Sequence, residues 1–190
     1  MTTQTVLGLA ELVECLDSAV QRPSPAEITA SVKAALERIA AAGTLELPAA
    51  LTAPRPDRYA RRLLHRSAEH GYTAILMTWG PGQGTPLHDH AGMWCVEGVL
   101  EGEIEVTQHD LLEQRDGLYR FRREATVTAG PGNAGALIPP FEYHTIANPS
   151  DAGKAVTLHI YAGEMTHCTA FEPRGDGLYE RHERELRYTD

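Results

Sequence analysis

The sequence has few cysteines, no long apolar run and little positive charge, and each shortage excludes a class of protein. The three cysteines are widely spaced and include no C-x-x-C pair, so they predict neither a disulfide framework nor a zinc ribbon. A reducing cytoplasm is therefore the expected compartment. No apolar stretch reaches the roughly 18 residues that a membrane span needs. The first residues carry Glu11, Glu14 and Asp17 and no basic region, which is unlike a signal peptide.

Positive charge is scarce relative to negative charge. The chain has 17 Lys and Arg residues against 26 Asp and Glu residues, for a formal net charge of −9. This balance argues against nucleic acid or an anionic membrane as the main partner and favours a small-molecule partner. With 190 residues, 42% hydrophobic and 23% charged, the chain is predicted to form a single globular domain over residues 1–190. The sequence does not predict an oligomeric state.

Helical periodicity is confined to the first third of the chain. Residues 5–20 and 24–43 place apolar side chains at helical spacing, and the second segment starts with Ser24 as a candidate N-cap. After a proline-rich connector, residues 57–69 (DRYARRLLHRSAE) predict a third, shorter helix. Residues 1–70 are therefore expected to form N-terminal helices that pack on the remainder of the domain.

The residue composition and pattern of the sequence change at Tyr72. Short segments rich in β-branched and aromatic residues follow one another, separated by Gly, Pro or Asp. They predict about six to eight strands, and so a barrel or sandwich over residues 71–190. The Arg- and Glu-rich stretch ERHERELRY near the end of the chain is interpreted as a solvated terminal tail. The predicted fold class is mostly β, with an α-helical N-terminal region.

Two histidines separated by a single residue occur in the stretch TPLHDHAGMWCVEGVLEGEIEV. Side chains alternate between the faces of a strand, so His88 and His90 point the same way. Two neutral imidazoles side by side inside a barrel cost desolvation free energy unless something binds them, and a divalent metal would do so. An exposed loop with scattered histidines is the alternative interpretation. His144, which follows the turn-forming Pro139-Pro140, is the candidate third ligand from a facing strand.

The spacing around these histidines resembles the two motifs of the cupin superfamily. The first motif is Gly82, five residues, His88-Asp89-His90, four residues, Cys95, six residues and Gly102; the second is Pro139-x-Phe141-x-x-His144-x-x-x-Asn148. The resemblance implies a cupin barrel of the jelly-roll type with a metal at the histidines. Cys95 stands where most cupins have a glutamate ligand. A bound Fe²⁺ would then keep its full double charge and have open positions for an anionic ligand such as a thiolate.

A further set of polar residues lies at alternate positions of one predicted strand, and so on one face: Thr157, His159 and Tyr161. Alternating core packing is the other interpretation of that pattern. Together with Cys95 and the histidines, however, the set resembles the cysteine dioxygenase (thiol dioxygenase) family. The likeness extends from Tyr59 to Phe171 and includes YARRLL before the barrel and CTAF at residues 168–171.

The resemblance implies an iron site with an ordered tyrosine beside it. Fe²⁺ would be bound by three histidines, His88, His90 and His144. Tyr161 would place its hydroxyl near the open ligand positions of the iron. His159 would form a hydrogen bond with Tyr161, and Thr157 would orient the other ring nitrogen of His159.

The same resemblance implies a cross-link and a substrate pocket. Cys95 would form a thioether to the ring of Tyr161. Arg61 would bind the substrate carboxylate, and Tyr59 is a second candidate for the pocket. Animal members of the family have Ser-Pro-Pro after the tyrosine, whereas this chain has Ala-Gly-Glu at residues 162–164, so the pocket differs there.

The expected activity is the oxidation of a small thiol carboxylate to its sulfinic acid with O₂, a reaction of sulfur metabolism, with L-cysteine as the expected thiol. One alternative is a sibling enzyme acting on 3-mercaptopropionate or mercaptosuccinate, in which Arg62 or Arg174 would hold a second carboxylate. An alternative of another class is a non-catalytic cupin with zinc bound by the histidines and Cys95. A sugar isomerase-type cupin is disfavoured, because Glu97 shares the strand parity of Cys95 but lies past the motif position.

Overall fold

A computed structural model of the chain describes residues 5–189. Residues 1–4 and residue 190 lie outside this range. Residues 1–4 are part of the N-terminal stretch that is expected not to be a signal peptide, so that part of the expectation lies outside the described residues. The described residues form two helices and eleven strands: α1 (Leu9–Ala19), α2 (Pro25–Ala42), β1 (Ala60–Ser67), β2 (Tyr72–Trp79), β3 (Leu87–His88), β4 (Cys95–Glu101), β5 (Ile104–Arg115), β6 (Leu118–Ala129), β7 (Ala134–Leu137), β8 (His144–Ala147), β9 (Ala155–Tyr161), β10 (His167–Gly175) and β11 (Leu178–Glu185).

The strands form two antiparallel sheets. One has five strands in the order β1-β2-β9-β4-β7. The other runs β10-β11-β6-β5-β8-β3 and closes on itself, because β3 pairs with β10. The predicted fold class is thereby confirmed: a mostly β chain with a jelly-roll-type barrel and an α-helical N-terminal region. The strands outnumber the roughly six to eight predicted, because β3 and β8 are too short to show a period-2 pattern and because β1 and β11 lie in segments predicted as a helix and a tail.

The ends of α2 follow the signals that the sequence carries. The Ser24 side chain accepts a hydrogen bond from the backbone N–H of Glu27 at 3.3 Å, as an N-cap does. Gly43 ends the helix in the left-handed region, at a φ of 62°, where a glycine has no Cβ to strain. Within the described part of the chain, no helix is long and apolar enough to cross a membrane.

The central strands β2 and β9 separate the helices from the barrel interior, and every residue of both strands is buried. Because their side chains alternate, one face carries Leu158 and Ile160, which pack in one cluster with Leu36 of α2. The opposite face carries Trp79 and Tyr161 into the interior cluster of the barrel. The helices therefore cover the outside of the sheet, and the polar residues of β9 point inward.

The third helix predicted over residues 57–69 is wrong. Most of that segment is the edge strand β1, which pairs with β2 so that Arg61 lies opposite Met77 and Leu63 opposite Ile75. The adjacent leucines at 63 and 64 fit either a helical stripe or a strand. Pairing with the fully buried β2, a non-local effect, decides for the strand. The helical part of the chain thus ends at Ala42, and the sheet begins at Ala60, before residue 71.

The solvated tail predicted for ERHERELRY is also wrong. Its first half belongs to β11, which pairs with β10 and β6. Beyond β11, Leu186 and Tyr188 pack against the interior cluster, and the backbone N–H of Thr189 donates to the carbonyl oxygen of Arg61 at 2.7 Å. The charges of this segment face outward from a paired strand, while its few apolar residues face inward, a pattern that a charge count alone does not reveal.

Candidate metal centre and its polar neighbours

The structure brings the three predicted histidines together. His88 ends β3, His90 follows two residues later, and His144 begins β8 directly opposite His88. The ring centroids are 4.5 to 5.2 Å apart, and one nitrogen of each ring lies within 4.8 Å of the others. Such spacing suits three ligands of a single ion, because metal–imidazole bonds are about 2.0–2.1 Å long.

Hydrogen bonds orient two of these rings. Nδ1 of His88 lies 3.1 Å from the carbonyl oxygen of Pro86, and Nδ1 of His144 lies 3.1 Å from that of Glu142. A carbonyl can only accept, so each ring holds its proton on Nδ1 and leaves the lone pair of Nε2 free. Within residues 5–189, Nε2 of His144 and both ring nitrogens of His90 are buried without a hydrogen-bond partner. Buried polar atoms left without a partner in this way fit the donor atoms of a metal site.

The electrostatics of the cluster keep the imidazoles neutral. Burial, together with the neighbouring His144, lowers the pKa of His88 to about 3. Burial likewise lowers the pKa of His90 well below its usual value and lowers that of His144. Neutral imidazole is the form that coordinates a metal, so ion binding near pH 7 displaces no proton from these rings.

Cys95 and Tyr161 face each other across a strand pair. They are register partners in the β4–β9 ladder, where opposite side chains on one face have Cβ atoms about 4.5–5.5 Å apart. Both side chains are buried, and the Cys95 thiol forms no disulfide. Burial raises the pKa of the Cys95 thiol and that of the Tyr161 phenol, so both groups hold their protons at neutral pH.

A chain of hydrogen bonds runs from the core to Tyr161. The indole N–H of Trp79 donates to Thr157 Oγ1 at 2.9 Å, and this oxygen lies 2.8 Å from Nε2 of His159. Because Thr157 already accepts from Trp79, its hydroxyl hydrogen is free to donate to His159. The ring proton of His159 then sits on Nδ1, which is 3.3 Å from the Tyr161 hydroxyl. Sequence reasoning missed Trp79, since no motif links it to a residue 78 positions later.

Glu97 also lies in the cluster, although it stands past the motif position in the sequence. Its side chain is buried on the inner face of β4, with Oε1 3.1 Å from Nδ1 of His159 and 3.6 Å from Nε2 of His144. Burial raises the pKa of this carboxyl, but the His159 and His144 rings lower it more, and the net pKa is well below the usual range. The strand parity with Cys95 was the signal that could have identified it.

Arg61 is buried beside this cluster although it lies on a strand instead of the predicted helix. It is 5% exposed, its Nη2 donates to the carbonyl oxygen of Met165 at 2.6 Å, and its guanidinium carbon lies 5.0 Å from the ring centroid of Tyr188. No carboxylate of the described residues lies within 4.0 Å of its guanidinium nitrogens. A buried guanidinium without an anionic partner is costly, so the site favours an anionic ligand.

Two adjoining cavities connect Arg61 to the histidines and to solvent. A small cavity of about 30 Å³ is bounded by Tyr59, Arg61, His88, Glu97 and Tyr161, among others. A wider cleft of about 610 Å³ shares Tyr59, Arg61 and His88 with it and opens to the surface. Tyr59 stacks on Trp79 with ring centroids 4.7 Å apart, so it forms a wall of both cavities. The residues predicted for substrate binding thus border one path from the surface to the histidines.

The chain is similar in sequence to one family of known proteins. The model of the family described as "Cysteine dioxygenase type I" matches residues 10–174. Cysteine dioxygenase type 1 of Rattus norvegicus is 26% identical over 117 residues, and that of Homo sapiens is 24% identical over 125 residues. Each match covers 62% of this chain and 57% of the relative, so the chain spans little more than half the length of these curated relatives.

Solved structures show more distant likenesses. A protein of Thermus thermophilus is 24% identical with a TM-score of 0.48, covering 62% of this chain and 95% of that one. Oxalate oxidase in complex with glycolate is 20% identical with a TM-score of 0.43, covering 57% of this chain and 53% of that one.

Proposed function

Because the chain belongs to the cysteine dioxygenase type I family, we propose that it is a thiol dioxygenase that oxidises a small thiol carboxylate, L-cysteine foremost, to its sulfinic acid with O₂. The observation that carries the proposal is the convergence of three neutral imidazoles, two of them fully buried, beside a buried arginine that has no anionic partner among the described residues. The first group fits a metal, and the second fits the carboxylate of the substrate.

The residues present fit Fe²⁺. One ring nitrogen each of His88, His90 and His144 would hold the ion, and those of His90 and His144 have no hydrogen-bond partner within residues 5–189. When bound, Fe²⁺ supplies a template that collects the substrate thiolate and O₂ and favours the deprotonated thiol.

Arg61 would bind and orient the substrate. Its guanidinium has five N–H donors, one of which contacts the Met165 carbonyl, so others remain for a carboxylate. The contacts with Met165 and Tyr188 hold the guanidinium in place before substrate arrives, which reduces the entropy lost on binding. A thiol carboxylate would therefore lie with its carboxylate at Arg61 and its sulfur toward the histidines.

Tyr161 would act as a fixed hydroxyl donor beside the reacting sulfur. Trp79, Thr157 and His159 form a continuous chain of hydrogen bonds that ends at its oxygen. Its raised pKa keeps the proton on the phenol at neutral pH. It can therefore donate a hydrogen bond to a bound anion while the chain behind it fixes its direction.

The test of the proposed function is a screen of thiol oxidation. Iron-loaded protein is mixed with L-cysteine, 3-mercaptopropionate, mercaptosuccinate or cysteamine, and both O₂ consumption and sulfinic acid are measured. L-cysteine should give the highest kcat/KM with one sulfinate formed per O₂ consumed. Preference for an amine-free acid would favour the sibling activity instead. If the iron-loaded protein oxidises none of these thiols, the result would favour the alternative of a non-catalytic metal-binding cupin.

The donor atoms themselves do not favour the zinc-binding alternative. That alternative needs Cys95 in one set with all three histidines. In the described residues the donors group instead as His88, His90 and His144, and separately as His90, Cys95 and Glu97.

The facing positions of Cys95 and Tyr161 support a further prediction, that a thioether forms between them. The bond replaces the S–H of Cys95 and one C–H of the Tyr161 ring, and O₂, which the proposed reaction supplies, takes up the two electrons and two protons. Intact protein should then contain a fraction that lacks two hydrogen atoms and migrates anomalously on denaturing electrophoresis, and Cys95→Ala should lack that fraction. We expect this variant to retain iron and reduced turnover, because the cross-link would only hold the Tyr161 ring in place. Cys168→Ala, which removes another buried thiol that is not the register partner of Tyr161, is the matched control. Loss of iron in Cys95→Ala would instead identify Cys95 as a ligand.

A further inference from the structure

We infer that O₂ reaches the metal centre through an apolar cleft around Val99, Val127 and Gly135, separate from the cleft that opens beside Arg61. The inference deepens the proposed function and rests on it, because a path for O₂ matters only if the protein consumes O₂. It assigns the apolar cleft a class of ligand, small apolar gases, and a part in the reaction.

The walls of the apolar cleft suit such a ligand. Its volume is about 490 Å³, and it is lined by the edge strand β7, the β5–β6 hairpin and the inner faces of β4, β8 and β9. Glu97 is the one charged residue of this lining within residues 5–189. An apolar cavity binds apolar guests such as xenon, and O₂ is likewise small and apolar. The aliphatic part of the wall consists mainly of Val99, Ile104, Val106, Val127, Leu137 and Ile146.

The apolar cleft adjoins the small cavity at the histidines. The two spaces have Glu97 and Ile146 in common. Two buried polar residues of the cleft, Glu97 and Thr157, also contact the ring of His159, at 3.1 Å and 2.8 Å. In the described part of the chain, the cleft beside Arg61 shares no lining residue with the apolar cleft. The small cavity therefore has two neighbouring clefts, one bordered by charged side chains and one apolar.

A second path matters because the thiol would obstruct the first. The small cavity holds only about 30 Å³, and its wall includes Tyr59 and Arg61, the residues proposed to bind the substrate. A thiol carboxylate bound there leaves little room for a second reactant to follow from the same side. On the other side, Ile146 separates the small cavity from the apolar cleft. Ile146 packs in the interior cluster without a polar contact to hold it, so a change of rotamer can move it aside.

A glycine keeps the apolar cleft open. Gly135 lies opposite Glu97 in the β4–β7 ladder, so both residues face the same side of the sheet. A Cβ at Gly135 would meet nothing within 4 Å among the described residues, so a side chain there would project into the cleft. Glycine in a strand often marks a place where a ligand approaches closely. Gly135→Leu should therefore fill the cleft, and the φ of this residue is not positive, so leucine is not strained there.

Two further variants make the test specific. Val127→Trp obstructs the cleft at its mouth, where Val127 is 59% exposed, so the fold does not depend on this side chain. Gly130→Leu is the matched control. This glycine also lacks a positive φ, and an added Cβ would meet nothing within 4 Å in residues 5–189, but it lies outside the lining of the cleft. Thermal unfolding checks that each variant is folded.

The first measurement detects O₂ directly. Dissolved O₂ is paramagnetic, so it speeds the NMR relaxation of nearby methyl groups in the full chain loaded with Zn²⁺, an ion without redox chemistry. We expect the methyls of Ile104 and Ile146 to relax severalfold faster than those of Leu12, which is equally buried beneath the helices. Both obstructing variants should remove most of that difference, and the control should retain it. Equal relaxation of the two groups in wild type would overturn the inference.

The second measurement is the steady-state kinetics of the iron-loaded proteins, with O₂ varied at saturating L-cysteine. We expect kcat/KM for O₂ to fall severalfold in both obstructing variants, while the KM for L-cysteine and the iron content match wild type. An unchanged kcat/KM for O₂ in both variants would overturn the inference, because the cleft would then be a blind end. If wild type oxidises no thiol although Ile146 shows the faster relaxation, the proposed function fails and the apolar cleft stands as a site for O₂.

Discussion

His90→Ala should yield a folded protein that retains no iron and consumes no O₂ with any thiol. His90 is fully buried, and neither of its ring nitrogens has a partner among the described residues, so its imidazole serves no alternative hydrogen bond there. Removing one of three histidine ligands leaves two, which is below what a stable iron site in a protein needs. We expect the same of His88→Ala and His144→Ala. Iron content after purification and O₂ consumption measure the effect.

The control for this prediction is another histidine. His167 is exposed on β10 and is separate from the cluster of donors, so His167→Ala should retain iron and activity. Far-ultraviolet circular dichroism should give the same spectrum for both variants and wild type. Near-stoichiometric iron in any one of the three ligand variants would remove that residue from the site.

Arg61→Ala should lose most of its activity toward thiol carboxylates while retaining iron. Truncating one partner of a buried charge pair costs about 2–5 kcal/mol, and the substrate carboxylate is the partner proposed here. Cysteamine, which has no carboxylate, should lose far less. The ratio of kcat/KM for L-cysteine to that for cysteamine should therefore collapse in the variant. Measuring kcat and KM separately for each thiol would show how much of the loss lies in binding.

The neighbouring residue offers a matched control. Arg62 follows Arg61 in β1 but points to the other face, where its guanidinium donates to the carbonyl oxygens of Leu51 and Ala53. Arg62→Ala should keep the discrimination between L-cysteine and cysteamine. If Arg61→Ala leaves kcat/KM unchanged for every thiol, the carboxylate is held elsewhere and the Arg61 assignment fails.

Local signals explain why part of the site was predictable. The pair His88 and His90, and the alternation of Thr157, His159 and Tyr161, each need only the period of a strand to place their side chains on one face. His144 came from motif spacing, and its register with His88 agrees with that spacing. The fold class followed similarly, from two segments with helical periodicity and a succession of short apolar segments. The roles assigned to these residues stay predictions until the variants are measured.

The parts that sequence reasoning missed depend on contacts between distant segments. Arg61 is predicted to lie in a helix because the two adjacent leucines fit both the period of a helix and the period of a strand. Only the pairing with β2 distinguishes the two structures. Trp79 reaches Thr157, and Tyr188 covers Arg61, across separations that no local pattern records. Glu97 differs from these cases, since its parity was visible in the sequence. Motif spacing alone leaves it outside the metal site, because that spacing takes no account of the direction of its side chain.

Trp79 gives the protein a built-in optical reporter of its own site. The indole is fully buried, its N–H is fixed on Thr157, and its ring lies 6.4 Å from that of His159. The chain has two tryptophans, and Trp94, one residue before Cys95, packs with the cluster beneath the helices instead. Emission that is quenched when a paramagnetic ion or a thiol binds can therefore be assigned to Trp79, and its disappearance in Trp79→Phe identifies the source. Binding of ions and thiols can thus be titrated by fluorescence without any attached dye.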